Sequence, residues 1–196
     1  MDKPRQKLTM LRIEGFKSIG KEQKITFGDI NVMIGANGVG KSNLVSFFRL
    51  LSYLTTDKLQ FGIGKQGYAD SLLYYGSQKT ERFSATLKFE DNLWVDEYSF
   101  ALTYAYRGQM MFAYETVYRK PKDIITRAKE IKEDLGSGHR ESLLQEKEQD
   151  VEAKKIHTLL SKCRIYQFHN TSDTAYIRQP CSINDNHYLK SDAGNL

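Results

Sequence analysis

Apolar and polar positions alternate most clearly between residues 83 and 119. Phe83, Ala85, Leu87 and Phe89 fall on every second position, as do Tyr98, Phe100, Leu102, Tyr104 and Tyr106, then Met110, Phe112, Tyr114 and Tyr118. A period of two belongs to a strand with one buried face. Asp91-Asn92 and Arg107-Gly108-Gln109 supply turn residues between these runs. The pattern predicts an antiparallel meander of three strands. Leu8–Ile13 and Lys24–Phe27 read as two earlier strands, and the apolar run Ile30-Asn31-Val32-Met33-Ile34, ending at Gly35, as a buried one.

Elsewhere the period is helical. In residues 43–54, Leu44, Phe47, Phe48, Leu51 and Leu54 form one broad apolar face. Residues 57–78 are Gly-rich and predict an ordered loop with a short helix near Ala69–Tyr75. From Pro121 onward, Ile124, Ala128, Ile131 and Leu135 recur at helical offsets. Gly136-Ser137-Gly138 breaks that pattern, and a second helix is expected from about Glu141 to Ser161. Apolar residues are sparse there, and nine basic side chains balance nine acidic ones across 121–162. That balance predicts a protruding, solvent-facing helical pair, an insertion at 121–162. Arg164–Phe168 reads as a further strand, followed by a polar tail from His169.

A chain of 196 residues with ten Phe and twelve Tyr has the length and aromatic content of one ordinary folded domain. No apolar run approaches the length of a membrane-spanning helix, so no membrane partner is expected. Cys163 and Cys181 cannot make a disulfide framework. The start MDKPRQK has no apolar stretch behind it, so the expected location is cytoplasmic. Residues 1–24 hold seven basic side chains against three acidic ones, +4 of the net +5. Either this is a lysine-protected edge strand in water or it meets nucleic acid or nucleotide phosphate.

One segment carries strong chemistry. Gly35-Ala36-Asn37-Gly38-Val39-Gly40-Lys41-Ser42 fits G-x-x-x-x-G-K-[ST] in full, between an apolar run and a helical pattern. Glycines let successive backbone N–H groups curl around phosphate oxygens. Lys41 places an ammonium on the β- and γ-phosphates, the Ser42 hydroxyl is a Mg²⁺ ligand, and the helix that follows adds its positive end. The expected cofactors are ATP and Mg²⁺, held by residues 35–43, with Lys41 also catalytic.

Leu11-Arg12-Ile13-Glu14-Gly15-Phe16-Lys17-Ser18-Ile19 lies shortly before this loop. It resembles the L-x-I-x-x-F-[KR]-S opening of the ABC-type ATPases of chromosome biology and defence: RecF, the structural-maintenance-of-chromosomes (SMC) proteins, Rad50 and the OLD family. Asn37 and Asn43 are typical of that branch. Tyr166–Ser172 and Ser191–Leu196 resemble the bacterial predicted AAA-family ATPases related to RecF and OLD. The resemblance implies an α/β fold: the P-loop lobe of an ABC-type head, with a mixed sheet, an antiparallel β-subdomain and the inserted helical pair.

It also implies ATP hydrolysis by the full-length family member, in DNA repair or anti-phage defence. Two heads would sandwich two ATPs, with DNA and a nuclease encoded downstream as candidate partners. Of the family's remaining ATP-site parts, Gln167 is the candidate Q-loop residue, contacting Mg²⁺ and the attacking water; an ordinary strand-end polar residue is an equal reading. The signature motif and Walker B acids are expected beyond Leu196, leaving this chain alone weak or inactive in hydrolysis. Leu93–Glu97 and Leu135–His139 loosely imitate those two motifs but lack their context. The four His are scattered, without metal spacing. The alternatives are a non-catalytic nucleotide-binding interaction module and, against the Phe16-Lys17-Ser18 opening, the head of a membrane transporter.

Overall fold

The computed structural model describes residues 6–122, 128–146 and 150–166. It divides into two units, Met1–Lys162 and Cys163–Leu196. All helices and strands described lie in the first. Of the second, residues 163–166 are described and carry neither helix nor strand. The strand expected over Arg164–Phe168 is therefore absent from its first three positions. Gln167 and the polar tail lie outside the described residues.

Six strands form one antiparallel sheet in the order β2-β1-β3-β4-β5-β6. They are β1 (Lys7–Glu14), β2 (Gln23–Thr26), β3 (Arg82–Glu90), β4 (Trp94–Tyr104), β5 (Met110–Pro121) and β6 (Ile131–Gly136). The alternating runs become β3, β4 and β5. Their inward side chains pair across strands in rows: Leu11 with Leu87, Leu87 with Tyr98, Ala85 with Phe100. The Asp91 carboxylate closes the β3–β4 turn by accepting from the Leu93 and Trp94 N–H groups, at 2.8 and 2.7 Å.

Among the described residues, four α-helices and a short 3-10 turn at Tyr106–Gly108 complete the unit: α1 (Lys41–Leu54), α2 (Leu59–Lys65), α3 (Tyr68–Leu72) and α4 (Val151–Ser161). α1 buries Leu44, Phe47, Leu51 and Leu54 of the face its spacing predicts, together with Leu50, while Phe48 is half-buried. The Phe47 ring meets Phe16 edge-on at 5.8 Å and stacks with Phe100 at 6.5 Å. Phe16, Phe83, Phe100 and Phe112 are all at most 1% exposed, so an aromatic spine joins sheet to helix. α4 starts at Asp150, whose side chain accepts from the N–H groups of Glu152 and Ala153, an ordinary N-cap. It docks by burying Ala153, Ile156 and Leu160. Two ion pairs tie it to the sheet, Lys155 to Asp96 at 2.8 Å and Glu152 to Arg119 at 2.9 Å.

Three expectations are corrected. First, residues 30–34 form no strand: Ile30, Val32 and Ile34 are 87%, 77% and 91% exposed. A strand needs a neighbour for its backbone groups, and no described residue pairs with this run. The mixed sheet expected around it is replaced, among the described residues, by the antiparallel one. Second, the end of the first helix of the predicted pair is β6, which pairs with β5 from Arg119↔Ile131 to Glu115↔Gly136; Pro121 belongs to β5, and Ile124 lies outside the described residues. Ile131 and Leu135 are four apart, and four is even, so the spacing serves a strand as well as a helix. The second helix begins only at Val151. Third, the two-residue rhythm of β5 flips midway. A bulge lies opposite Ala101/Leu102, so after Phe112 it is Glu115, Val117 and Arg119 that point inward. Tyr114 turns out to 36% exposure.

That flip places a carboxylate in the core. Glu115 is 0% exposed. It accepts from the Tyr98 hydroxyl at 2.6 Å, the Ser142 hydroxyl at 2.5 Å and the Leu143 N–H at 3.0 Å, and meets His139 Nε2 at 2.8 Å. Burial first, then the neighbouring Glu115 charge, push the Tyr98 phenol well above its ordinary range. Nearby, Glu141 accepts from the N–H groups of Leu59 and Gln60 at the start of α2. Residues 139–143 are thus clasped to both the sheet and α2.

On the sheet's outer side, Glu90 is bound by Lys88 and Lys122, each at 2.6 Å. Hydrogen bonds from Lys122 and then Lys88 pull its pKa down to about 2. The depressed folded value means that this contribution is whole above the ordinary carboxylate pKa and disappears as pH falls toward 2. Glu90→Gln should therefore lower the urea midpoint at pH 7 and leave it unchanged near pH 2. Equal effects at both pH values would show that the charge plays no part.

Candidate functional site

The glycine-rich segment 35–40 is a loop leading into α1. Gly38 (φ 89°) and Gly40 (φ 97°) both occupy the left-handed region, where residues with a Cβ are strained. Gly40 is the N-cap of α1. No side chain caps this helix and its first turn holds no acid. The Asn43 N–H turns back onto Gly40 O at 3.0 Å, and no side chain is spent on the N–H groups of Lys41 and Ser42 ahead of it.

Lys41 lies at the centre. Its ammonium donates to Gly35 O at 2.6 Å and Ala36 O at 2.7 Å. An ammonium has three donors, and two of them hold the side chain against the loop. Ser42, exposed, opens the first turn of α1 beside it. A Cβ on Gly35 would come within 3.0 Å of Val39 Cγ2, so the loop's first and fifth residues touch. Ala36 and Asn37 are exposed at the rim.

The structure adds a residue that the loop motif alone does not reveal. Asn43 Nδ2 donates to Ser18 Oγ at 2.6 Å. A Cβ on Gly40 would meet the same Ser18 oxygen at 3.0 Å. Ser18 thus braces the loop-to-helix junction from the β1–β2 connection. Phe16 anchors that connection in the core, and Lys17 between them takes φ 50°. The spacing of Phe16-Lys17-Ser18 before the loop so has a physical reason: an aromatic anchor, a sharp bend, then a hydroxyl on the loop. Burial, and second the Arg49 guanidinium, lower the Lys17 pKa.

Of the remaining sequence candidates, those among the described residues serve the sheet and α4. Asp96, in the stretch that imitates a Walker B strand, is 1% exposed on antiparallel β4. It pairs with Lys155 at 2.8 Å and Arg119 at 3.7 Å, and Gln6 donates to it. It anchors α4. Leu135–His139 is the end of β6 and its turn, held to β5 by Gly138 N to Phe112 O at 2.7 Å. Gln167 lies outside the described residues. Within the basic N-terminal stretch, Lys7 pairs with Asp29 at 2.5 Å, while Arg12 and Lys24 face each other across β1 and β2.

These features define a class: an α/β domain with a glycine-rich loop at the head of a helix that packs on an antiparallel sheet. The chain belongs to the AAA domain family, whose model matches residues 10–179 of its 196. It is an AAA-type P-loop ATPase domain, a family that uses nucleotide and usually Mg²⁺. A comparison with curated proteins finds no match. Among the described residues, no helix is long and apolar enough to cross a membrane.

Gly40 gives a direct check on the loop. Gly40→Ala forces a Cβ into the left-handed region and against Ser18, at a cost of about 1–2 kcal/mol. Urea unfolding should show that loss, and Ser18→Gly in the same chain should recover the part due to contact. A fully stable Gly40→Ala protein would mean that the bound-ready loop shape is not the one described.

Proposed function

We propose that residues 35–43 hold the triphosphate of Mg-ATP and that the chain is the P-loop half of a RecF/SMC/OLD-like ATPase serving DNA repair or anti-phage defence. The observation that supports it best is the Lys41 ammonium, held by two loop carbonyls at an uncapped helix head. The backbone N–H groups of 38–42 take the β-phosphate oxygens, and Lys41 neutralises charge on the β- and γ-phosphates. Mg²⁺, when bound, draws electron density from the γ-phosphate, with the Ser42 hydroxyl as its ligand from this chain. Ser18 keeps the loop in register with α1 through Asn43.

In-line hydrolysis needs, besides this cradle, a positioned water and a group to orient it. Asp96, the acid of the most Walker-B-like stretch, is committed to Lys155 and Arg119. On this reading turnover requires further residues: Gln167, a signature motif and a Walker B pair, brought together when two heads close on two ATPs. DNA and a downstream-encoded nuclease are the partners such an assembly would serve. The direct test is calorimetric titration. Mg-ATP should bind saturably, and AMP, lacking the β- and γ-phosphates, should not. Equal binding of both would place the site elsewhere. Phosphate release by the chain alone should be slow or absent. Rapid turnover that vanishes in Lys41→Ala would contradict the need for further residues and leave the cradle standing.

A further inference from the structure

The tip of the β4–β5 hairpin, residues 105–109, is closed by Ala105 N to Gln109 O at 2.7 Å. Tyr106 and Arg107 are exposed there, Tyr106 at 77%. The Arg107 guanidinium lies 5.1 Å from the Tyr106 ring, and Arg107 takes φ 59°. The first residue of α3, Tyr68, sits against this tip, since a Cβ on Gly108 would meet Tyr68 Cβ at 3.2 Å. Tyr68 is itself 57% exposed at φ 64°. Its ring borders Gly64 of α2, on which Phe61 is 55% exposed with the Lys65 ammonium 5.4 Å from its ring.

Three exposed aromatic residues and two cations therefore lie on α2, α3 and the hairpin tip, which adjoin one another through Tyr68. None of the five is acidic. The nearby acid of α3, Asp70, is turned onto Ser77, accepting from its N–H at 2.9 Å and its hydroxyl at 2.6 Å. Two of these residues sit in a backbone region that is strained for side-chain-bearing residues, and exposed strain of this kind concentrates at functional surfaces. Rings left open to water, interleaved with cations, are what a single-stranded nucleic acid needs: a face for each base and a positive charge for the phosphate between. A duplex hides its bases and cannot use the rings. An uncharged partner would gain nothing from the cations.

We propose that Phe61, Lys65, Tyr68, Tyr106 and Arg107 form a platform for single-stranded nucleic acid, separate from residues 35–43. Bases stack on Tyr68 and Tyr106, and Arg107 and Lys65 take backbone phosphates.

Fluorescence anisotropy of the full chain with a labelled oligothymidylate tests this. Tyr106→Ala and Tyr68→Ala should each weaken binding roughly five- to a hundredfold, with unchanged thermal melts. Tyr106→Phe, which keeps the ring, should bind as the wild type does. Tyr106→Trp should report stacking directly by quenching of its fluorescence. Removing Arg107 or Lys65 charge with Gln should each flatten the slope of log affinity against log salt by about 0.7. Duplex of the same sequence should bind more weakly, and Mg-ATP should not displace the oligonucleotide. The proposal is overturned if no single strand binds, if Tyr106→Ala and Tyr68→Ala bind like the wild type, if duplex binds equally, or if Mg-ATP competes.

Discussion

Lys41→Ala should leave the fold intact and remove most of the response to Mg-ATP. The side chain's only described partners are the exposed carbonyls of Gly35 and Ala36, which return to water at little cost. What is lost is a charge-assisted hydrogen bond to phosphate, about 1.5–3 kcal/mol, or a dissociation constant raised roughly 10- to 150-fold. At a ligand concentration about 100 times the wild-type Kd, binding stabilises the native state by about 2.7 kcal/mol. With Kd raised about 30-fold, the same concentration gives only about 0.9 kcal/mol. The difference is readable as a lost shift in Tm. Lys41→Arg should not restore it, because a planar fork does not replace a point charge under a tight loop. An undiminished shift in Lys41→Ala would mean that the nucleotide is gripped elsewhere.

The largest loss of stability is expected at a residue far from the loop. Glu115→Ala removes the acceptor for Tyr98, Ser142 and the Leu143 N–H, and the partner of His139, in a site with no access to water. Breaking a buried charged network in this way costs about 3–5 kcal/mol. Glu115→Gln keeps one carbonyl acceptor and should cost less. The urea midpoints should therefore rank wild type, Gln, Ala. If Ala equals wild type, the segment 139–143 is not held by this carboxylate. Since that segment also caps α2 through Glu141, Ala should increase proteolytic cleavage around residues 137–146 as well.

The sequence makes the meander legible because a period of two is generated by the strand itself. It makes α1 legible for the same reason: Leu44, Phe47, Leu51 and Leu54 are spaced by the helix they form. What it cannot convey is pairing. Residues 30–34 have the composition of a buried strand, but burial depends on a neighbour, and no described residue is one. β6 escapes because Ile131 and Leu135 fit both periods, and only its hydrogen bonds to β5 decide. Glu115 escapes because a one-residue bulge opposite Ala101/Leu102 reverses which residues of β5 face inward, and no spacing announces a bulge.

The candidate site divides in the same way. The glycines, Lys41 and Ser42 are legible as a motif, since the chemistry of gripping phosphate dictates their order. Phe16-Lys17-Ser18 is legible only as a resemblance. The reason for it, Phe16 in the core and Ser18 on Asn43, appears once the chain is folded. The aromatic-basic surface at Tyr68 and Tyr106 is invisible beforehand, because Tyr106 continues the alternation of β4 as though it were a strand residue and instead stands at an exposed hairpin tip.

Everything proposed about nucleotide rests on the backbone of 35–42 being the phosphate cradle, and amide chemical shifts read that backbone atom by atom. In a ¹⁵N-labelled sample titrated with Mg-ATP, the amides of Gly38, Gly40, Lys41 and Ser42 should move together and saturate at one Kd. If those four stay still while the protein binds Mg-ATP, or if no amide moves at all, the cradle is not where the nucleotide goes.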